Sequence, residues 1–459
     1  MRTMTQILTR IALLVVPVVA VGQTPTQWRG TAEWTFMVYL AADNNLDRAA
    51  MEDVDEMEMV GSSKDVRIVV LIDRWNAQAG PSNWTTAKRA ILLKKPGAGA
   101  QSLYDPAVSE DIGEVNTGDP QTLVEFVKWG ATVCPSRKRA LIIWNHGGGW
   151  RSFNDEFAGS SRSPQDLRNL SWSPTPGIRA VCFDAGSSDD ALYTKELRNA
   201  LETCGVTFDI VAFDACLMGM LEVAYELKDI TPYVVASEEN VATDGFNYTT
   251  LLAALGAQAG ATPFQVGSLM LESYNLEYGS APNATLALIA SDRLPELVAS
   301  INSLVAQVAQ EDNEAGRLAC RQELAHARAS AGPTMAENRL PYVDLGTFLQ
   351  CAAHHGRLSQ NLRASADQAL KSYERARLVY VRTGERRRTG LSIFFPPLDT
   401  TASMLDAYCE DNLVFAKDCC WDQFVKSFAT NVPLADLVVP SAPGEQPPDG
   451  SVSEMLGFE

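Results

Sequence analysis

The sequence FDIVAFDACLMGMLEVAYEL at residues 208–227 predicts a buried strand that leads into a helix. Its first half is an apolar run with β-branched and aromatic residues, which is typical of a strand covered on both faces. From residue 217 onward, apolar residues recur at helical spacing with Glu222 and Glu226 between them. Cys216 lies at the junction, where open α/β sheets face a crevice and a helix N-terminus favours a thiolate. We therefore expect Cys216 to be a nucleophile.

A second strand, RALIIWNHGGGW at residues 139–150, ends on His146. A histidine and a cysteine at two strand ends outline a nucleophile and its base. The glycines after His146 let the backbone approach a substrate, so the amides of Gly147 and Cys216 are candidate oxyanion donors. The alternatives are a buried histidine beside a flexible turn and an ordinary core cysteine. The chain has four histidines, and the other three lie in polar helical surroundings that predict surface positions: His326, His354 and His355.

Strands alternate with helices along the first half of the chain, which predicts a mainly parallel sheet covered on both faces. The helix that follows the first strand extends to about residue 60, with Asp43 or Asn44 as its cap. The acidic run at residues 52–58 predicts a solvated face of this helix. Strands are expected at residues 34–41, 66–73, 87–93, 139–146, 208–216, 233–237, 284–290 and 391–395.

The composition and the N-terminal residues limit the functional classes to which the protein can belong. A formal net charge of −18 argues against nucleic-acid binding, because phosphate contacts need clustered Lys and Arg. Residues 1–22 combine Arg2 and Arg10 with a short apolar core, which predicts a signal peptide; an uncleaved anchor is the alternative. Apart from Cys216, eight cysteines remain, an even number that an exported protein can pair or leave free. A serine hydrolase is disfavoured because no GxSxG elbow is present.

Changes in composition along the chain predict its organisation. We expect a signal peptide at 1–22, a catalytic core at 23–263, a helical extension with a late strand at 264–431 and a disordered, Pro-rich tail at 432–459. Within the core, residues 151–179 are rich in Ser, Pro, Asn and Gly, which indicates a long exposed loop.

Several separate motifs resemble the clostripain family of cysteine peptidases, and they stand in the expected order from about residue 34 to 397. They are MVYLAADNNLD at 37–47, HGGGW at 146–150, CFDAGSSDDALYTKEL at 182–197, DACLMG at 214–219, ASEENVATDGFNY at 236–248 and TGLSIFFP at 389–396. The resemblance implies a caspase-like three-layer α/β/α sandwich and endopeptidase activity. It makes His146 the general base and acid, Cys216 the nucleophile, and the amides of Gly147 and Cys216 the oxyanion donors.

The same resemblance implies cleavage after a basic residue, with Arg preferred and Lys second. Asp214 and Asp244 occupy the positions of the family's acidic S1 residues. A carboxylate pair in a partly desolvated pocket can bind the fork of donors on a guanidinium. Two structural alternatives stay open, namely a helix N-cap for Asp214 and a plain turn residue for Asp244.

Activation and cofactors also follow from the resemblance. The family is often cut between the His and Cys strands, and we favour Arg162 and Arg168 in the exposed loop as self-cleavage sites. No cofactor is required by the sequence and no metal ligands are assigned. Some relatives depend on calcium, which therefore stays open, although no EF-hand loop is present.

These features together favour an exported endopeptidase, in the periplasm or outside the cell. Its partners would be protein or peptide substrates with a basic residue before the cut, with no nucleic acid and no stable membrane anchor after signal cleavage. Two alternatives remain: a catalytically silent binding or adhesion protein on the same fold, and a caspase-like peptidase that prefers a non-basic residue.

Overall fold

The computed structural model describes most of the chain between residues 30 and 434. The described residues are 30–75, 84–95, 99–149, 180–281, 283–311, 316–331, 341–383, 388–398, 400, 402–410 and 413–434. The expected signal peptide, the expected loop with Arg162 and Arg168, and the expected tail beyond residue 434 lie outside them. In the described ranges, no helix is long and apolar enough to cross a membrane.

A nine-stranded sheet forms the centre of the molecule, and two small two-stranded sheets accompany it. The strands are β1 (Ala32–Ala42), β2 (Val66–Arg74), β3 (Ala87–Ile91), β4 (Ser109–Gly113), β5 (Ser136–Trp144), β6 (Val181–Asp184), β7 (Asp190–Leu192), β8 (Ile210–Asp214), β9 (Tyr233–Ala236), β10 (Thr285–Ala290), β11 (Tyr342–Asp344), β12 (Arg377–Arg382) and β13 (Ser392–Phe394). The order in the large sheet is β12-β10-β9-β8-β5-β1-β2-β3-β4.

The five central strands of the large sheet are parallel, and two antiparallel strands extend it at each side. Every residue of β2 and of β8 is buried, as expected for parallel strands covered on both faces. The expectation of a mainly parallel sheet is confirmed. The late strand at residues 391–395 is present as β13, but it pairs with β11 outside the large sheet.

Helices cover both faces of the sheet. They are α1 (Asp47–Val60), α2 (Pro120–Val133), α3 (Thr194–Cys204), α4 (Leu221–Glu226), α5 (Tyr248–Ala257), α6 (Pro263–Tyr278), α7 (Leu294–Glu311), α8 (Gly316–Ala331), α9 (Leu345–His354), α10 (Gln360–Ala376), α11 (Ala402–Glu410), α12 (Val414–Asp418) and α13 (Trp421–Thr430). The helix α2 begins where the sequence predicts, because Asp119 caps the amide of Gln121 and Pro120 occupies the first turn.

Alternate residues of a central strand point to opposite faces of the sheet and so belong to two separate hydrophobic cores. On β1, Phe36 and Val38 belong to the core beneath α1, α5 and α6. Tyr39, on the opposite face of the same strand, belongs to the core beneath α2, α3 and the C-terminal helices. Full burial of an apolar side chain such as Phe126 stabilises the fold by about 1.5–3 kcal/mol. Burial in the two cores therefore holds both layers of helices against the sheet. The result is a three-layer α/β/α sandwich.

Two local predictions around the strand ends are wrong. The helix after Cys216 does not begin at Leu217 but at Leu221, because residues 215–220 form a tight turn with Leu217 at a φ of +63°. The amide of Leu217 donates to the carbonyl of Glu239 instead of entering a helix. Neither Asp43 nor Asn44 is the cap of α1, whose N-cap position is Leu46.

Candidate active site

The strands β5 and β8 bring His146 and Cys216 to the same edge of the sheet. They are parallel neighbours with Trp144 opposite Asp214, so each of the two residues lies two positions beyond its strand in the same register. The segments remain in contact beyond the strands, since a Cβ added to Gly147 would lie 2.1 Å from the carbonyl oxygen of Cys216. Only glycine permits this approach. The structure thus brings together the two residues that sequence reasoning paired.

His146 is buried and is held by a residue that sequence reasoning missed. Its Nε2 lies 2.8 Å from Oδ1 of Asn45, in the segment between β1 and α1. With the Nε2 proton donated to Asn45, Nδ1 carries a lone pair and can accept a proton. Burial lowers the pKa of His146 to about 4, so the imidazole is neutral at pH 7. Asn45 could have been suspected because β1 is the neighbour of β5 and ends at the same edge.

Cys216 is a thiol in the resting structure. Burial, more than the nearby Asp214, raises the pKa of Cys216 to about 11. The amide of Val241 donates to Sγ at 3.3 Å, and this hydrogen bond partly opposes the rise in the pKa. The predicted stabilisation of a thiolate by a helix N-terminus is wrong, since α4 begins only at Leu221 and Cys216 lies in the preceding turn. Both members of the pair are therefore uncharged before substrate binds.

The two amides proposed as oxyanion donors come from touching segments. Gly147 pairs with Val181 in an isolated antiparallel β-bridge. The next residue, Gly148, donates its amide to the carbonyl of Ala180 at 3.0 Å. The carbonyl of Gly148 accepts from the hydroxyl of Tyr342 at 3.1 Å. The segment that carries Gly147 is thus fixed on both sides, and its role as an oxyanion donor stays a prediction.

Asp214 is buried at the end of β8, directly before the turn with Cys216. Its Oδ2 accepts from the amide of Phe246 at 2.8 Å and from the hydroxyl of Tyr248 at 3.0 Å. Burial is the main reason that its pKa rises to about 7. The alternative of a helix N-cap is wrong, because the next helix begins at Leu221 and Asp214 binds the loop after β9 instead.

Asp244 is exposed on the loop after β9, and two acidic residues of α1, Asp53 and Glu56, lie close to it. Gly245 passes so close that a Cβ there would lie 2.7 Å from Oδ2 of Asp214 and 3.2 Å from Oδ2 of Asp53. The indole of Trp144 donates to Asp53 at 2.6 Å, and the amide of Tyr248 donates to Glu56 at 2.9 Å. We call the four carboxylates the acidic pocket: Asp53, Glu56, Asp214 and Asp244.

The four carboxylates of the acidic pocket disfavour one another's ionised form. Burial first, and then Asp214, Glu56 and Asp244, raise the pKa of Asp53 well above its usual range. Among the described residues, no Lys or Arg forms an ion pair with any of the four carboxylates. The prediction that the acidic run at 52–58 is a solvated face is wrong for Asp53 and Glu58, which are buried. The arrangement can bind a cation beside the sulfur of Cys216.

Comparison with known proteins identifies the family. The clostripain family model matches residues 38–428. The chain belongs to the clostripain family. This confirms the predicted resemblance and, at the level of the family, the prediction of a cysteine peptidase.

Individual relatives agree with this assignment. Clostripain of Hathewaya histolytica is 30% identical over 244 residues, which cover 49% of this chain and 43% of that protein. The match thus spans less than half the length of that relative. A secreted C11 cysteine protease of Bacteroides thetaiotaomicron, solved with an irreversible peptide inhibitor, superposes with a TM-score of 0.59 at 18% identity, over 84% of this chain and 98% of that one. An inactive zymogen C11 protease of Parabacteroides distasonis gives 0.58 at 18%, with the same coverage. These two structures confirm the caspase-like fold.

All nine cysteines lie within the described ranges, and six of them are free thiols: Cys134, Cys182, Cys204, Cys216, Cys419 and Cys420. Five of the eight besides Cys216 are therefore not paired in this structure. Burial raises the pKa of several of them, such as Cys134 to about 12, so they are unreactive core residues near neutral pH. Cys216 is distinguished by its position rather than by its residue type.

Proposed function

We propose that this protein is an exported cysteine endopeptidase that cleaves after Arg, and less readily after Lys. The observation that carries the proposal is the shared register of β5 and β8, which puts a histidine and a cysteine side by side next to the acidic pocket. Family membership supports peptidase chemistry, and the pocket supports the choice of a basic side chain. The Bacteroides thetaiotaomicron relative is described as secreted, which supports export.

The reaction begins from a neutral pair. Nδ1 of His146 accepts the proton of Cys216, and the sulfur attacks the carbonyl carbon before the cut. The amides of Gly147 and Cys216 donate to the oxyanion that forms. The protonated imidazole then gives its proton to the leaving amine, which departs and leaves a thioester. Water, deprotonated by His146, hydrolyses the thioester and restores the thiol.

The acidic pocket selects the side chain before the cut. A guanidinium presents a planar fork of donors that two carboxylates can bind together, whereas an ammonium is a point charge, so Arg is preferred to Lys. Asp214 lies two residues before Cys216, and Asp244 lies on the exposed side of the pocket. A bound cation also offsets the repulsion among the four carboxylates, which makes occupation of the pocket favourable.

Self-cleavage at Arg162 or Arg168 activates the enzyme in this proposal. The segment that contains them starts after Gly149 and ends before Ala180, and both ends lie beside His146 because Gly148 donates to Ala180. Mass spectrometry of the wild type beside Cys216→Ala tests this step, and an intact wild-type chain would reject it.

Hydrolysis of matched reporter peptides tests the main proposal. Peptides with Arg before the cut should be cleaved fastest, and peptides with Lys there more slowly. Peptides with Asp or Leu before the cut should not be cleaved detectably. Cys216→Ala should abolish cleavage of all four. Asp214→Asn should reduce Arg cleavage about 100-fold while the protein stays labelled by iodoacetamide at Cys216. Equal rates on Arg and Leu peptides would reject the assigned specificity, and no labelling by an arginyl chloromethyl ketone would indicate a silent binding protein.

A further inference from the structure

Two histidines and a glutamate come together on the C-terminal helices, outside the catalytic pair and the acidic pocket. Glu323 and His326 are three positions apart on α8, so they face the same side of that helix. His355 directly follows α9, which packs against α8. One ligand atom of each residue lies within 4.8 Å of those of the other two. We call Glu323, His326 and His355 the His/Glu group.

The distances within the His/Glu group have the size of a metal coordination shell. Oε2 of Glu323 lies 3.3 Å from Nδ1 of His326 and 3.4 Å from Nε2 of His355. A charge-assisted N–H···O bond is shorter, at about 2.7–2.9 Å. Two ligands of a tetrahedral Zn²⁺, with bonds of about 2.0–2.2 Å, lie about 3.3–3.5 Å apart. One carboxylate oxygen is therefore separated from two imidazole nitrogens by the edge length of a zinc tetrahedron.

The imidazole of His355 points independently to a ligand. Its side chain is 22% exposed, and its Nδ1 is buried without a hydrogen-bond partner in the part of the chain that the structure describes. Its Nε2 has Glu323 as a neighbour at 3.4 Å, which exceeds the usual length of an N–H···O hydrogen bond. A largely buried polar ring without good partners is unfavourable, so a ligand at Nε2 would stabilise this position.

The carboxylate of Glu323 is oriented for coordination. Its side chain is 12% exposed, and its Oε1 lies 3.5 Å from Nη1 of Arg357. Ligating carboxylates are commonly fixed by such an outer contact, which here leaves Oε2 to face the histidines. The side chain of His326 is 63% exposed, so solvent reaches the group from that side. A water molecule can therefore complete a set of four ligands.

We propose that Glu323, His326 and His355 bind a zinc ion, with water as the fourth ligand. Two imidazole nitrogens and one carboxylate oxygen, with water in the fourth position, are a ligand set that Zn²⁺ accepts in proteins. Ca²⁺ and Mg²⁺ take oxygen ligands, so two nitrogens disfavour them. Cu²⁺ and Ni²⁺ also bind imidazole, but they prefer square-planar or tetragonal sites to tetrahedral spacing.

The zinc ion joins α8 to the end of α9. The other end of α9 is fixed by Asp344, which ends β11 and accepts from the amide of Thr347 at 2.6 Å. The ion thus ties two helices of the C-terminal half together and stabilises their packing. It takes no part in peptide cleavage. The site goes beyond the proposed peptidase function, and failure of either proposal leaves the other intact.

Equilibrium dialysis with zinc tests the site without reference to activity. The full chain with Cys216→Ala, stripped with EDTA, is the protein to use, because the thiol of Cys216 could itself bind zinc. It should bind zinc at micromolar concentration in the presence of excess calcium, which occupies sites made of oxygen ligands. His326→Gln and His355→Gln, each added to this chain, should weaken the binding about tenfold or more, because one of three protein ligands is lost.

His354→Gln is the matched control for both variants. His354 is exposed, and its Nδ1 lies 2.9 Å from the carbonyl oxygen of Gln350 in its own helix. The change removes a histidine one position from His355, so zinc binding should stay within twofold. Thermal unfolding shows whether each variant is folded. Zinc at about a hundredfold excess over its Kd should raise Tm by about 3 °C in the control and not in His355→Gln.

Co²⁺ in place of zinc reports the geometry of the site. Tetrahedral Co²⁺ absorbs visible light much more strongly than octahedral Co²⁺, so we expect strong absorption in the control and weak absorption in His355→Gln. The proposal is overturned if zinc does not bind, if folded His326→Gln and His355→Gln bind it as tightly as the control, or if excess calcium displaces it. Weak absorption by Co²⁺ in the control would also overturn it. The His/Glu group would then be an ion-pair group only.

Discussion

At the residue scale, the neutral state of the His146 and Cys216 pair has a chemical consequence. Many cysteine nucleophiles are thiolates at neutral pH because an imidazolium or a helix N-terminus lowers their pKa. Here burial acts on both groups, so it lowers the pKa of His146 and raises the pKa of Cys216. In the proposed mechanism, the thiolate therefore forms when substrate arrives, by direct proton transfer to the histidine.

Alkylation of the uncut chain should report this neutral pair. A thiol with a pKa of about 11 gains thiolate with rising pH, so the rate of reaction of Cys216 with iodoacetamide should still increase between pH 7 and 10. The difference in labelling between wild type and Cys216→Ala isolates this residue from the other eight cysteines. A rate that is constant between pH 5 and 8 would instead show an imidazolium and thiolate pair.

Asn45 should act as a positioning residue for His146. Asn45→Ala removes the acceptor at Nε2, so the ring loses its fixed orientation and tautomer. We expect kcat on an Arg peptide to fall about tenfold, with KM within twofold, since no contact to the acidic pocket is lost. Arg48→Ala, a nearby exposed change on α1, is the control and should leave both constants unchanged. An equal loss in both variants would contradict a specific role for Asn45.

At the element scale, the turn at residues 215–220 decides where Cys216 lies. Gly219 packs against the chain beyond β9, and its amide donates to the carbonyl of Ser237 at 2.7 Å. A Cβ there would lie 2.6 Å from the amide nitrogen of Glu238, a backbone atom that cannot move alone. The turn, rather than a helix N-terminus, therefore holds Cys216.

Substitution of Gly219 should expose this constraint. Gly219→Ala forces two backbones apart, and we expect it to lower the free energy of unfolding by about 1–3 kcal/mol and to reduce kcat. Gly256→Ala is the matched control, because Gly256 lies in α5 with no atom within 4 Å of the added Cβ. That change should stabilise the protein by about 0.5–1 kcal/mol through helix propensity. Denaturant unfolding of both variants measures the difference, and equal stabilities would contradict the packing.

The sequence predicted those elements whose signal is local. The apolar runs of β1, β2, β5 and β8 predict buried strands, and the two strand ends with His146 and Cys216 follow directly. The antiparallel edges and the start of α4 at Leu221 were not predictable, because they depend on pairing between distant segments. Asp53 was missed for the same reason, because an acidic side chain on a helix carries no sign of what lies across from it. Asn45 was missed although β1 and β5 are neighbours that end at the same edge.

At the scale of the whole molecule, the C-terminal half completes the central sheet. β10 and β12 extend it beyond β9, so the sheet is built from both sides of the boundary predicted at residue 263. The short helix α4 is also tied to this half. Glu222 accepts from the amide of Phe394 at 2.8 Å, and Glu226 accepts from the amide of Phe415 at 2.9 Å.

A chain that ends at residue 263 should therefore fail to fold. Without β10, the edge of β9 is unpaired, and the buried carboxylates of Glu222 and Glu226 lose the backbone amides of Phe394 and Phe415 that donate to them. We expect such a fragment to aggregate or to unfold without a cooperative transition, in contrast to the full chain. Circular dichroism and gel filtration measure this, and a monomeric fragment with a sharp thermal transition would show an independent catalytic core.

The adjacency of β5 and β8 has a consequence for the processed protein. A single nick between Gly149 and Ala180 would place the imidazole on one polypeptide and the sulfur on another. The two fragments would remain joined by the ladder between these strands and by the packing around them, without a covalent link. The working enzyme would then be a heterodimer made from one gene product, and its turnover would last only as long as the halves stay associated.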